Sequence, residues 1–304
     1  MPDFKPINLG DRTRYLSALH GAEAESCEYC FGNIYAWSDI YPTYIAYEDK
    51  CVYLQQTDGE RTLWPMPIAE DEQAFARAIR IMDGIQLHRD GTHAHFVYIN
   101  EAQRQRLDRL FPGAFEFHNH DEYDEYLYEA DNFRTYSGKK LHAKRNHYNS
   151  FIKTYGGRWA YEKLERSNAA ECAEFAADWG AKHASEKGIG TDKEEHVLDV
   201  MLSCADQLGL LGGVLRVDGR ICGFTIAERC ACHPQTAVIH IENADDEVRG
   251  AYPTLASMFA QDNPDFIYIN REEDMGIPGL RQSKSSYCPC RMIKKYSCRA
   301  GRPL

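Results

Sequence analysis

The chain has 304 residues, 43% hydrophobic and 27% charged, the composition of an ordinary globular protein, which excludes disordered and fibrous classes. Its formal charge of −11 argues against general binding to nucleic acid, DNA included, or to a membrane surface. No apolar run approaches the roughly 18 residues of a membrane span, the first residues carry no signal-like apolar core, and eleven irregularly spaced cysteines fit a reducing compartment, so a cytoplasmic location is expected.

The length suits two domains, expected at 1–125 and 126–304. A helix over 11–20, opened by Asp11 and ended by Gly21, precedes a turn or two of helix over 31–37. Strands follow over 43–47, 51–56 and 62–66, separated by the hairpin signals Glu48-Asp49-Lys50 and Asp58-Gly59. Phe75, Ile79, Met82 and Ile85 recur at helical spacing and predict a helix over 69–89. A strand over 95–99, a helix over 101–110 and a strand over 115–118 complete a layered α/β unit by about residue 125.

The second half repeats this grammar. It opens with a strand over 159–164 and helices over 168–185 and 193–208. A hairpin of 211–217 with 221–228 turns at Asp218-Gly219-Arg220, and an alternating strand covers 237–242. A helix over 250–261, a strand over 266–270, a helix over 278–285 begun by Pro278, and a closing strand over 291–296 finish the chain. Two copies of one topology, with no linker between them, are expected to pack together and share a cleft.

Between the halves the charge reverses. Residues 115–132 hold seven acids and no base, whereas 133–161 hold seven Lys or Arg and no acid. Read as a helix over 137–155, the basic stretch places Leu141, Tyr148, Ile152 and Tyr155 on one stripe with Arg145 in its middle. A guanidinium there must be paired or face a cleft, since an unpaired buried charge costs about 3 kcal/mol or more. Two readings stand side by side: Arg145 pins the helix to the acidic block, or it serves a site. Lys139, Lys140, His142, Asn146 and Asn149 offer a polar, cationic row to a phosphate-bearing ligand.

Two further stretches can carry chemistry. The strand ending at Asn270 runs into Arg271, Glu272, Glu273 and Asp274, and then Gly276-Ile277-Pro278-Gly279 opens a helix bearing Lys284. Ligands gather at the carboxyl ends of strands and at helix N-termini, which makes Asn270, Arg271, Glu272, Asp274, Gly276, Gly279 and Lys284 binding candidates. On the strand over 237–242, His240 and Glu242 share a face by period two. Glu242 is the candidate general base, with partnership to the following helix as its structural alternative. A strand N–H or Tyr252 would serve the oxyanion and leaving group, while Arg249 and Gly250 open the helix. The groups Cys27-x-x-Cys30, Cys230-Ala-Cys232-His233 and Cys288-Pro-Cys290 lack the repeated spacing of a structural zinc site, so no metal is expected.

The words GKKLHAKRNHYNSF, IENADDEVRGAYP and INREEDMGIPGLRQSKSSYCP resemble the family typified by the C-terminal domain of phosphatidylglycerol lysyltransferase. The likeness is specific over 121–296 and looser over 1–120, where SCEYCFGNIYAW carries it. It implies an α/β (α+β) fold of two GNAT-like (acyl-CoA N-acyltransferase) domains in tandem, each a mixed, mostly antiparallel sheet flanked by helices. It also implies kinship with bacterial peptidoglycan aminoacyltransferases that use aminoacyl-tRNA. The Gln/Arg-x-x-Gly-x-Gly/Ala loop with which acetyl-CoA users cradle pyrophosphate is matched only by Arg249-Gly250-Ala251, so aminoacyl-tRNA is the expected donor ahead of acyl-CoA. The expectation is an acyl or aminoacyl transferase with no tightly bound cofactor, acting on an amine or hydroxyl acceptor. Glu242 would be its base, and Arg145 or a strand N–H would steady the oxyanion. The alternative is a non-catalytic module of the same fold that binds a small amino-acid or anionic ligand.

Overall fold

In the computed structural model, which describes residues 1–20, 22–187 and 191–304, the first half runs β1 (Lys5–Pro6), α1 (Arg12–Leu19), α2 (Phe31–Trp37), β2 (Thr43–Glu48), β3 (Cys51–Asp58), β4 (Arg61–Pro65), β5 (Ile68–Ala69), α3 (Glu72–Asp90), β6 (His95–Ile99), α4 (Glu101–Leu110) and β7 (Phe115–Asn119). There follow β8 (Glu125–Glu129), α5 (Ala130–Thr135), α6 (His142–Tyr155), β9 (Trp159–Lys163), α7 (Ala169–Lys187), α8 (Thr191–Ser203) and α9 (Ala205–Leu208). The chain ends with β10 (Leu211–Val217), β11 (Arg220–Arg229), β12 (Thr236–Ala244), α10 (Ala251–Asp262), β13 (Tyr268–Asn270), α11 (Pro278–Ser285), β14 (Arg291–Ile293) and β15 (Tyr296–Ala300). Gly21, the expected stop of the first helix, lies outside the described residues.

Hairpin chemistry sets the meanders. Asp49 and Lys50, at φ 49° and 63°, turn β2 into β3, and Asp218-Gly219, at 52° and 78°, turns β10 into β11. Helix α3 begins later than hydrophobic spacing predicts because the Asp71 carboxylate accepts from Ala74 N at 2.7 Å, while Ile68–Ala69 pairs with β3 instead. The helix expected over 193–208 breaks at Cys204 into α8 and α9.

The strands form two sheets, ordered β1-β2-β3-β4-β6-β15-β7 and β14-β8-β13-β12-β11-β10-β9, with β5 attached to β3. Among the described residues each path holds a single parallel pair, β4 with β6 and β12 with β13, bridged by α3 and α10 respectively. The sheets exchange strands. β8 follows β7 in the chain yet pairs with β13 and β14, and β15 follows β14 yet pairs with β6 and β7. The closing strand expected over 291–296 is therefore two pieces in different sheets, and a division at residue 125 leaves the first sheet without 296–300. Trp64, Tyr15, Phe75 and Phe96 fill the first core, and Phe133, Tyr136, Tyr128 and Tyr287 fill the second. Each such side chain contributes about 1.5–3 kcal/mol of burial.

The basic helix sits differently from its expected face. Leu141 is its N-cap and Phe151 its fully buried residue, against Tyr155 and Trp159 at 5.0 and 6.0 Å between ring centroids. The buried face is thus turned by about one residue from the predicted stripe, and Arg145 lies at its border. Its Nη1 donates to the carbonyls of Tyr136 at 2.7 Å and Gly138 at 3.3 Å, which closes the loop entering α6. The acidic block is engaged elsewhere, with Asp131 on Arg134 at 2.7 Å, Asp121 on Arg281 at 3.4 Å and Glu125 on Lys295 at 2.8 Å. Among the described residues no helix is long and apolar enough to cross a membrane.

Candidate active site

Parallel strands β12 and β13 pair only over Thr236↔Tyr268, Ala237↔Ile269 and Val238↔Asn270. Beyond that point β13 ends while β12 runs on to Ala244, so the sheet splits into a wedge. The wedge opens into a cavity of about 1440 Å³ lined by both halves, with Gln56, Tyr98 and Tyr296 on one side and His240, Glu242 and Arg271 on the other.

Glu242, on the open edge of β12, and Arg271, the first residue past β13, meet across the wedge at 2.6 Å, with side chains 8% and 11% exposed. Burial works against the Arg271 charge, but Glu242, together with Tyr287, Tyr128 and Tyr136, holds the guanidinium pKa above its ordinary value. The cation also lies 4.8 Å from the Tyr287 ring centroid. Arg271 Nη1 is buried and makes no hydrogen bond. An N–H donor kept dry and unpaired costs about 1–3 kcal/mol, which a ligand oxygen would recover. Lys284 braces this strand end, since its Nζ donates to the carbonyls of Arg271, at 2.5 Å, and of Glu273, and burial lowers its pKa. Tyr252, on α10, lines the same cavity, its phenol pushed up to about 12 by burial.

His240 is placed by an irregularity that strand alternation does not foresee. Ile226 pairs with Ile241 and Ala227 with Ile239, so His240 is an extra residue, a β-bulge that re-aims its ring. Nδ1 contacts Glu272 Oε1 at 2.7 Å, while Nε2 faces Glu228 Oε2 at 3.5 Å, too long for a good hydrogen bond. Burial opposes the imidazolium, yet the two carboxylates prevail and raise its pKa to about 10. Glu272 reaches the ring from a left-handed backbone, φ 55°. Next to it a second ionic cluster centres on the buried Lys295, whose Nζ meets Glu28 at 2.5 Å, Glu125 at 2.8 Å and Glu273 at 3.3 Å.

Of the candidates read from the sequence, Glu242, Tyr252, His240, Arg271, Glu272, Gly279 and Lys284 line the cavity. The others do not. Lys139, Lys140, His142, Asn146, Asn149 and Arg249 are exposed outside it. Arg145, expected to steady an oxyanion, is committed to backbone carbonyls. Gly250, at φ 87°, is filled by α6, since a Cβ there would stand 2.4 Å from the His147 carbonyl. Asn270 is fully buried and donates to Glu125 Oε2 at 2.5 Å. Asp274 accepts from Tyr126 at 2.6 Å and Arg281 at 2.8 Å, and from Gly276 N in the turn at 2.9 Å. The sequence reading missed Glu28, Glu273, Tyr287 and Lys295. Glu28, Glu273 and Tyr287 stand inside quoted motifs, whereas nothing local marks Lys295.

Two mixed sheets, each with a parallel pair bridged by a helix, show a tandem GNAT-like fold. Residues 21–299 match the family described as "Phosphatidylglycerol lysyltransferase, C-terminal", and the chain belongs to that family. A conserved protein of unknown function from Bacteroides thetaiotaomicron VPI-5482 has a similar structure, at 30% identity and a TM-score of 0.93, with 99% of this chain and 100% of that one covered. L-PGS from Bacillus licheniformis shares the fold at 15% identity and a TM-score of 0.66, with 99% and 94% covered. An uncharacterized protein of Mycoplasmoides gallisepticum, MYCGA3080, is 29% identical over 185 residues, which span 58% of this chain and 56% of that protein's length.

Proposed function

We propose that the protein is an aminoacyl transferase whose reaction centre is the Glu242–Arg271 pair. The observation that carries this reading is a carboxylate and a guanidinium, 2.6 Å apart and nearly buried, at the split of two parallel strands facing a large cavity. The acceptor, an amine or hydroxyl, attacks the carbonyl of an aminoacyl ester, and Glu242 takes its proton. Arg271 Nη1 donates to the oxyanion that develops, the charge its unpaired N–H is placed to meet. Collapse of the tetrahedral intermediate expels the ribose hydroxyl of the donor, which recovers the proton, and leaves the aminoacyl group on the acceptor.

Aminoacyl-tRNA is the donor favoured over acyl-CoA. The N-terminus of α10, where Arg249-Gly250-Ala251 would receive a pyrophosphate, is packed by α6 at Gly250. The family's description as a lysyltransferase supports the same class. In the turn before α6 and along the helix, Lys139, Lys140, His142, Asn146 and Asn149 are exposed and offer positive charge to an RNA backbone in an otherwise acidic protein. The test is incubation with tRNA charged with labelled amino acids and a panel of amine and hydroxyl acceptors. Protein-dependent loss of the ester with label appearing on an acceptor is expected, and Arg271→Lys, which keeps the charge but not the fork, lowers it by about 10²–10³-fold. Stabilisation by free amino acids with every ester left intact would overturn catalysis in favour of a binding module.

A further inference from the structure

Behind His240, away from the Glu242–Arg271 pair, three donors of different chemistry converge. Cys30 Sγ, a Glu228 carboxylate oxygen and a His240 ring nitrogen all lie within 4.8 Å of one another. They come from three elements, the residue before α2, strand β11 and the bulge of β12. We propose that Cys30, Glu228 and His240 bind a divalent ion of the zinc class, which fastens the segment before α2 to the second sheet beside the cavity.

His240 carries the argument. Its side chain is 2% exposed, and Nε2 makes no hydrogen bond. That nitrogen faces Glu228 Oε2 at 3.5 Å, close to the separation of about 3.3 Å between two ligands in a tetrahedron with metal bonds of about 2.0–2.1 Å. The other nitrogen, Nδ1, is held by Glu272 at 2.7 Å, the carboxylate–histidine arrangement that fixes the ring of a zinc ligand. Glu228 is itself aimed, because its Oε2 accepts from Gly32 N at 2.8 Å. Gly32 has to lack a Cβ for this, since one would stand 2.6 Å from that oxygen. The buried thiol of Cys30 completes a sulfur, nitrogen and oxygen set whose two negative charges, once the His240 ring and the thiol release their protons to solvent on metal binding, balance a divalent ion. The neighbouring group of Cys27, Glu28, Glu125 and Glu273 offers no such vacancy, since the Lys295 ammonium stands among its carboxylates at 2.5–3.3 Å.

The experiment uses the full chain, stripped of metal by a chelator and titrated with Co²⁺ and then Zn²⁺. A sulfur-to-cobalt charge-transfer band and intense tetrahedral d–d bands at one equivalent are expected, both bleached by zinc, along with a rise in Tm on zinc addition. Cys30→Ser abolishes the charge-transfer band. Glu272→Gln keeps it but weakens zinc binding by about 10–100-fold. Cys230→Ser with Cys232→Ser leaves it intact. Absence of the band in the wild type, its survival in Cys30→Ser, or its loss in the Cys230/Cys232 variant overturns the proposal, the last by moving the metal to the cysteine pair 3.1 Å apart at those positions.

Discussion

Lys295 Nζ stands 2.8 Å from Glu125 at the crossing of the two exchanged strands, for Glu125 is the first residue of β8 and Lys295 stands just before β15. The backbone repeats the link, as Lys295 N donates to Asp124 Oδ1 at 3.0 Å. Both side chains are buried, at 4% and 0% exposed, so the ammonium is what makes three converging carboxylates tolerable. Replacing it leaves charge without compensation. Lys295→Met is expected to lower unfolding free energy by about 3–5 kcal/mol in denaturant titration. A loss below about 1 kcal/mol, the range of a surface pair, would contradict this account of the crossing.

The seam between α6 and α10 predicts a second stability effect. Gly250 has φ 87° and lies so close to α6 that a Cβ would meet the His147 carbonyl at 2.4 Å and Phe151 at 3.0 Å. Gly250→Ala combines left-handed strain with overpacking, each costing about 1–3 kcal/mol. Chemical denaturation measures it, and an unchanged midpoint would mean that α6 does not press on the start of α10.

Lys144 gives a pH signature. Burial, with Arg271 adding to it, lowers its pKa to about 8, and its ammonium lies 3.8 Å from the Tyr287 ring centroid. Because the folded value is below the unfolded one, the native state sheds this proton first as pH rises. From about 8 to the ordinary lysine range, the unfolded state therefore binds more protons and this group adds stability with increasing pH. Stability curves of the wild type and Lys144→Met should diverge in that window, and parallel curves would contradict the shift.

Much of this was legible in advance. The hairpins at Asp49-Lys50 and Asp218-Gly219 followed from turn chemistry, and the motif around Arg271 marked the strand end that the cavity uses. Strand exchange was not legible, because β8 and β15 look locally like any short strand and only tertiary pairing assigns them to opposite sheets. Arg145 misled for a related reason. Helical periodicity locates a face to within about one residue, and Phe151 turned that face enough to bring the guanidinium onto backbone carbonyls. Period-two reasoning chose His240 but could not see the bulge that swings it toward Glu228.

The exposed turn leading into α6 makes a salt-dependent prediction. If Lys139 and Lys140 contact the RNA backbone, Lys139→Ala with Lys140→Ala flattens the slope of log affinity against log salt by about 0.7–0.9 per lost contact. Filter binding of tRNA over a salt series measures it, and an unchanged slope would move the RNA elsewhere.

If Glu242 and Arg271 act as one unit in transfer, a double-mutant cycle on single-turnover rates from charged tRNA will show it. Glu242→Gln and Arg271→Gln are each expected to slow transfer by about 10²–10⁴-fold, and the double variant to be no slower than the worse single, because either loss disables the same 2.6 Å pair. Wild-type rates in both single variants, or losses that simply multiply in the double, would contradict it.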